Sequence, residues 1–468
     1  AAEAVEIDAA LLNGKVTVKR AAVGSMAGAT ASLAGTVDAS AAAPAFALDL
    51  NASGSDLTRT VRALGYDFRP AATNLGGFRL AAAIGGTAAR LAVENLKATL
   101  GPANVEGRLG LALDAPRPKL TANLAASEVL LDLFLPAAAA AARPAAAAGR
   151  AAAAPVPTPA PGGRWSREPI DLTMLRLFDA DVSLAARGLE LRGYNFREPK
   201  LVLALADGTL DISQLQGRLF GGSVDLKGNL VAAAPPRAAL DLTLSGADLR
   251  QALVTALGID RVSGRFGMRG KFETRGSSEH DLVNALAGNA AVEASDGVVQ
   301  GIDLRRLSDQ LKRLDQVVDF VALLAGTMSG GQTRFTRASG TWRVERGVAR
   351  SDDTRVDLEA AEGTLVGTID LPNWQMDLVS RMRLTEHPNA PPVGVDLKGP
   401  IDQPVRDVKT RELERWMAER VGTGVMRRLL RDRGAEPAPT QPQAPTQPAP
   451  VSPAERLLRG ILEGAPRR

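Results

Sequence analysis

Apolar and polar residues alternate along most of this chain, in short runs closed by turn residues. Leu201-Val-Leu-Ala-Leu205 and Leu240-Asp-Leu-Thr-Leu244 place Leu at every second position. A period of two sends successive side chains to opposite faces of a strand. Leu201, Leu203 and Leu205 therefore share one face, as do Leu240, Leu242 and Leu244, with Thr243 on the other. Val224 and Leu226 repeat the pattern in Ser223–Leu230.

The same reading predicts strands at Lys15–Val18, Thr30–Val37, Phe46–Asn51, Phe78–Ala83, Arg90–Val93, Asn104–Leu113 and Leu120–Leu124. After a break they resume at Asp181–Leu184, Leu189–Arg192, Lys200–Ala206, Thr209–Ile212, Arg218–Leu219, Ser223–Leu230, Ala239–Leu244, Ser263–Glu273 and Gly288–Ala294. The last set is Ala338–Val344, Arg355–Glu359, Thr364–Ile369, Met376–Leu384 and Val393–Lys398. A unit recurs around Gly35, Gly107, Gly228 and Gly367, reading as a glycine-closed turn followed by an alternating strand pair. Asp207-Gly208 and Asp296-Gly297 read as turn pairs.

Helical spacing is scarce. It is predicted near Asp56–Leu64, at Leu249–Leu257 between Asp248 and Gly258, at Asp303–Ala325 and at Thr410–Leu430. Segments 137–164, rich in Ala and Pro, and 434–468, rich in Pro and Gln, carry no sheet pattern and read as a linker and a disordered tail with a short terminal helix at Pro453–Leu462. The expected organisation is an N-terminal β segment (1–136), the linker, a second β region (165–400), a helical segment (401–433) and the tail.

So many one-sided strands need cover, and a few short helices do not supply it. Short connections favour antiparallel pairing. The predicted fold is mainly β: a long curved antiparallel sheet forming an apolar groove, with a few short amphipathic helices. Two or three separate sandwiches are the competing architecture. Composition sharpens the choice. The chain is 45% apolar but only 4% aromatic, so its apolar surface is Leu, Val and Ala. Such a trough suits something flexible and apolar, such as an acyl chain. With 56 basic and 52 acidic residues, the charge gives no case for nucleic acid. Cys is absent, which fits an exported protein without disulfides.

Candidate catalytic chemistry is thin. His280 and His387 lie far apart in turn-like sequence and read as surface residues, and no metal site or cofactor is expected. Ser351-Asp-Asp-Thr354 reads as a solvated turn rather than a cation site. The Arg-rich helix carries Arg411, Arg415, Arg427, Arg428 and Arg431, but Glu412, Glu414 and Glu419 are interleaved, as on a solvated face. The groove candidates are the alternating residues Leu201, Leu203, Leu205, Val224, Leu226, Leu240, Leu242 and Leu244.

The ordered set of features from Leu201 to Leu307 resembles the AsmA family. It includes Asp207-Gly208, Gly221-Gly222, Gly246-Ala-Asp-Leu249, Leu286-Ala-Gly288 and Asp296-Gly297 leading to Gly301-Ile-Asp-Leu304. The later FTRASGTWRVERGVARSDD and GTIDLP fit as well, so the resemblance covers about residues 170–430. It implies a bridge-like lipid transfer protein of the Gram-negative envelope, with a periplasmic β-groove and an inner-membrane helix. Phospholipid acyl chains, the inner membrane and further envelope proteins are the implied partners. The implied roles are phospholipid delivery, outer-membrane biogenesis and regulation of protein targeting to membrane. No catalytic residues come with the resemblance. The chain opens without Met and without an apolar anchor, and reads as the C-terminal piece of a longer protein. A structural assembly factor that carries no lipid stays open beside the conduit.

Overall fold

The computed structural model describes residues 2–26, 28–40, 43–63, 65, 70, 75–134, 164–312 and 330–420. The Ala/Pro tract, the second half of the helix predicted to start at Asp303, and everything after residue 420 lie outside these. Twenty-one strands form one sheet. The first eight are β1 (Ala2–Leu12), β2 (Lys15–Met26), β3 (Ala29–Asp38), β4 (Ala45–Gly54), β5 (Phe78–Thr87), β6 (Arg90–Leu100), β7 (Ala103–Ala112) and β8 (Lys119–Leu130). Next come β9 (Asp179–Leu191), β10 (Tyr194–Ala206), β11 (Thr209–Leu219), β12 (Gly222–Val231), β13 (Arg237–Asp248), β14 (Val262–Arg275) and β15 (Ala287–Gln300). The last are β16 (Gln332–Glu345), β17 (Val348–Leu358), β18 (Ala361–Asp370), β19 (Gln375–Leu384), β20 (Val393–Pro400) and β21 (Val405–Lys409).

Each strand pairs with the next in sequence, and every pair is antiparallel except β8–β9. The strands before and after the Ala/Pro tract are therefore one continuous sheet. Two-residue turns make the hairpins tight. Asp207 and Gly208 have φ of 51° and 73°, the left-handed pair that a type I′ turn demands. Twenty gaps of about 4.8 Å make the sheet about 95 Å long. It is open, curved and mainly β, as the alternation predicts.

Several local expectations need correction. β9 is one strand where two were expected, and β11 likewise. Edge strands β1 and β21 were not expected; Ala on both faces of β1 blurs its alternation. Ser351–Thr354 lies within β17 and Asp296-Gly297 within β15, so neither is a turn. The repeat glycines do not close turns either. Gly35, Gly107, Gly228 and Gly367 sit mid-strand, and each faces a Leu on the following strand: Leu48, Leu124, Leu240 and Leu378. On the preceding strand the register slips beside each glycine, between Val18 and Ala21, Val93 and Leu96, Ile212 and Leu215, and Ser351 and Thr354. The recurring unit is thus a bulged strand, a strand with a glycine, and a strand with a leucine. A bulge bends and twists its strand. The glycine removes one side chain where the face becomes crowded, so the sheet can curl.

Three of these glycines also hold a conformation that other residues resist. Gly35, Gly107 and Gly367 have φ of 142°, 149° and 140°. A methyl group on Gly367 would overlap the carbonyl oxygen of Asp377 across the ladder. Gly367→Ala is expected to cost at least about 2 kcal/mol through strain and backbone separation. Urea unfolding checks this, and an unchanged midpoint would show that the neighbouring strand yields freely.

The helices lie in the connections between strands and after β21. α1 (Leu57–Ala63) and α2 (Leu131–Phe134) are short. α3 (Leu249–Leu257) begins where the Asp248 carboxylate accepts the Gln251 N–H at 2.7 Å and ends at Gly258, φ 76°. α4 (Glu279–Asn284), α5 (Leu304–Leu311) and α6 (411–420) follow. α5 turns Leu304, Leu307 and Leu311 inward, where they join Met382, Leu384, Val393, Leu413 and Met417 in the largest closed core. Thr333 Oγ1 accepts the Leu304 N–H at 3.2 Å, Arg305 meets Glu359 at 2.7 Å, and Lys312 meets Glu386 at 2.8 Å. Lys312 and Ser308 donate to the Glu386 carboxyl and hold its pKa below the usual value.

One segment runs along a rim rather than across the sheet. The Trp165 indole N–H donates to the Leu371 carbonyl at 2.8 Å and packs edge-on against Trp374 at 6.0 Å, with Arg164 over the Trp374 ring. The Ile170 N–H reaches Ser277, Arg176 reaches the Ala232 carbonyl, and the Asp179 N–H reaches Pro118. This strap ties the hairpin ends of β18–β19, β14–β15 and β12–β13 back to the start of β9.

Candidate functional site: an apolar groove

Cross-strand partners point to the same face of a sheet. Following partners from β1 gives one line: Ala9, Val18, Gly35, Leu48, Ile84, Val93, Leu109, Ala122, Val182 and Leu203. It continues through Ile212, Gly228, Leu240, Phe272, Gly288, Val344, Ala349, Ile369, Met376 and Gly399. The line crosses β1 to β20 without one polar side chain. Most of its members are half-buried. All described strands belong to the one sheet, so no second sheet covers them.

A second apolar line runs beside it from Leu96 through Gly107, Leu124, Leu184, Leu201, Leu215, Leu226, Leu242, Gly270 and Ala290 to Trp342. The opposite face is as consistently polar. Lys227, Asp241, Lys271, Asn289, Arg343, Arg350, Thr368, Asp377 and Lys398 follow one another across nine strands. Ion pairs stitch it, as between Lys271 and Asp241 at 3.0 Å and Lys398 and Asp377 at 3.2 Å. The shielded inner face is apolar and the exposed outer face is charged, so the curl encloses a trough.

All eight residues singled out by alternation lie on the inner face. Leu203 and Leu240 are on the first line; Leu201, Leu226 and Leu242 are on the second. Leu205, Val224 and Leu244 are 4%, 3% and 5% exposed. Val224 and Leu244 pack with Ala247 against Phe196, Leu219, Phe220, Leu242 and Phe266, in a closed cluster along one rim. The structure thus grades residues the sequence treated alike from trough floor, at Leu203 and Leu240, to rim core, at Val224 and Leu244, with Leu242 at the join. Sequence reasoning did not nominate Leu48, Ile84, Val93, Leu109, Ile369 or Met376. The repeated glycine–leucine pairing was the signal that could have found Leu48.

Among the described residues the trough brings no catalytic set together. Among the described residues no group of three His, Cys, Asp or Glu side chains could hold a metal ion. His387 Nε2 lies 2.9 Å from the Ser308 carbonyl, and His280 pairs with neighbouring Asp281 at 3.5 Å. Asp353 accepts the Thr341 N–H at 2.8 Å and its hydroxyl at 2.7 Å, which holds its pKa below the usual value and pins the bulge. In α6, Leu413 and Met417 face the core while Arg411 and Arg415 face solvent; Arg427, Arg428 and Arg431 lie outside the described residues. No described helix is long and apolar enough to cross a membrane.

Fold and trough together define an open-grooved β-sheet protein. The AsmA family profile matches residues 28–354, from the first residues before β3 to the middle of β17, and the chain belongs to the AsmA family. Over 137 residues it is 28% identical to Protein AsmA of Escherichia coli (strain K12). That match covers 29% of this chain and 22% of the relative. No solved structure matches.

Proposed function

We propose that the chain forms part of a periplasmic conduit in a Gram-negative envelope, in which the trough shields phospholipid acyl chains passing between the inner and outer membranes. The observation that carries this reading is the line from Ala9 to Gly399, apolar at every one of its positions across β1 to β20. Each methylene taken from water is worth about 0.8 kcal/mol, so a two-chain lipid faces a barrier of tens of kcal/mol that such a floor removes. The floor's backbone groups are already paired within the sheet and ask no hydrogen bond of an occupant. The charged outer face keeps the element wet on the other side. This function requires no covalent step. Outer-membrane biogenesis and regulation of protein targeting to membrane follow as its cellular roles, and an inner-membrane anchor outside this chain is its tether.

Native mass spectrometry of the protein purified from a membrane-containing host tests the reading. Mass increments equal to phospholipids, lost after detergent exchange, are expected. A folded protein with its bare mass alone would replace the conduit by an assembly factor that carries no lipid.

A further inference from the structure

The trough is not open along its whole length. Between β13 and β14 the chain forms α3 and then turns sharply at Gly258, where the Gly258 N–H reaches the Val254 carbonyl at 3.1 Å and the Ile259 N–H reaches the Leu253 carbonyl at 3.3 Å. That double closure fixes Leu257 and Ile259 on either side of a left-handed glycine. Both side chains pack against Met376, Leu378 and Ile401, in a cluster that Trp342 and Ile369 also join. Met376 and Ile369 belong to the unbroken apolar line, and Trp342 ends the second one. β14 and β19 are five strands apart, about 24 Å along the sheet. A nine-residue helix is about 13 Å long. The curl of the sheet, with the length of the helix, therefore lets the corner rest on the floor of strands beyond its own.

The attachments differ from those of α5. That helix is tied to the sheet by Arg305–Glu359, Lys312–Glu386 and the Thr333 hydroxyl. The Leu257–Ile259 corner meets the floor through aliphatic side chains. Contacts of that kind are non-directional and are replaced without loss by another hydrocarbon.

We infer that the Leu257–Ile259 corner is a built-in occupant of the trough's C-terminal site, holding the place of an acyl chain on Met376 and Leu378 until one displaces it. This rests on the conduit reading above. It adds that the trough ends in a plug, and that hydrocarbon reaches β16–β20 only when the corner lifts.

A palmitate analogue carrying a photoreactive diazirine and an alkyne, mapped by peptide mass spectrometry, tests both levels in the full chain. In the unaltered protein, labelling is expected around Leu203 and Leu240 and little around Trp342 and Met376. In the double variant Leu257→Ser/Ile259→Ser, labelling around Trp342 and Met376 is expected to rise several-fold, with the Leu203–Leu240 region unchanged. If the folded variant leaves the C-terminal labelling as it was, the plug is overturned and the conduit stands. Absence of labelling around Leu203 and Leu240 in both proteins overturns the conduit and the plug together. If the double variant unfolds, Leu257→Ala serves instead. A smaller rise is then expected, and none would count against the plug.

Discussion

Leu307→Asp should unfold the C-terminal end of the sheet. Leu307 is fully buried in α5, beside Leu304, Leu311, Leu384, Val393 and Met417. Removing a buried Leu side chain costs about 2–5 kcal/mol. An unpaired carboxylate in the same place adds several more unless it takes up a proton. The sum, at least about 4 kcal/mol, is a large part of the 5–15 kcal/mol that holds a typical domain together. Hydrogen exchange should therefore accelerate in α5, α6 and β18–β20, with a fall in the thermal midpoint. Asp309→Ala, two residues on, removes an exposed pair with Lys312 at 3.3 Å and should leave the thermal midpoint nearly unchanged. If both variants unfold alike, α5 is not seated on the sheet.

The second large effect concerns the trough floor. Leu240→Arg is expected to cut co-purifying phospholipid at least several-fold while the protein stays folded. Leu240 lies on the unbroken line between Gly228 and Phe272, outside the closed Phe cluster of the rim. Gly228 leaves room beside it, so the Arg stem can lie on the floor with its head toward the open mouth. A guanidinium there interrupts a path that otherwise carries no charge. Ala239→Arg is the control. Ala239 is exposed on the outer face and pairs in register with Glu273, so the new charge meets an opposite one. Lipid content should match that of the unaltered protein. Equal lipid in both folded variants would show that the line is not the path.

Local period and face were legible because they depend on neighbouring residues. Alternation put all eight chosen side chains on one and the same face, and Asp248 and Gly258 marked both ends of α3. Bulges were not legible. A single extra residue at Val93–Leu96 or Ser351–Thr354 moves the register without altering composition, and it shows only against the partner strand. The parallel β8–β9 pair was also out of reach, since the Ala/Pro tract between these strands carries no periodicity. Neither Trp165 on Leu371 nor Ile259 on the Met376 cluster has a local signature. Both contacts depend on how far the sheet curls, which the summed bulges and glycines set. The choice between one sheet and several sandwiches was settled at the same level, by every strand joining its neighbour.

The strap has a consequence for how such a chain folds. Because each strand pairs with the one just made, the sheet can grow vectorially from its first hairpin, with little loop-closure entropy at each step. In that respect it behaves like a solenoid, whose units need only their neighbours. The strap departs from this, Trp165 furthest of all, since its partner Leu371 lies 206 residues later. The strap's first residue must wait while β9 to β18 assemble, and it docks only when the β18–β19 turn exists. Its docking is a late, long-range step laid over a local process, and it registers that the second half of the sheet has been completed in order.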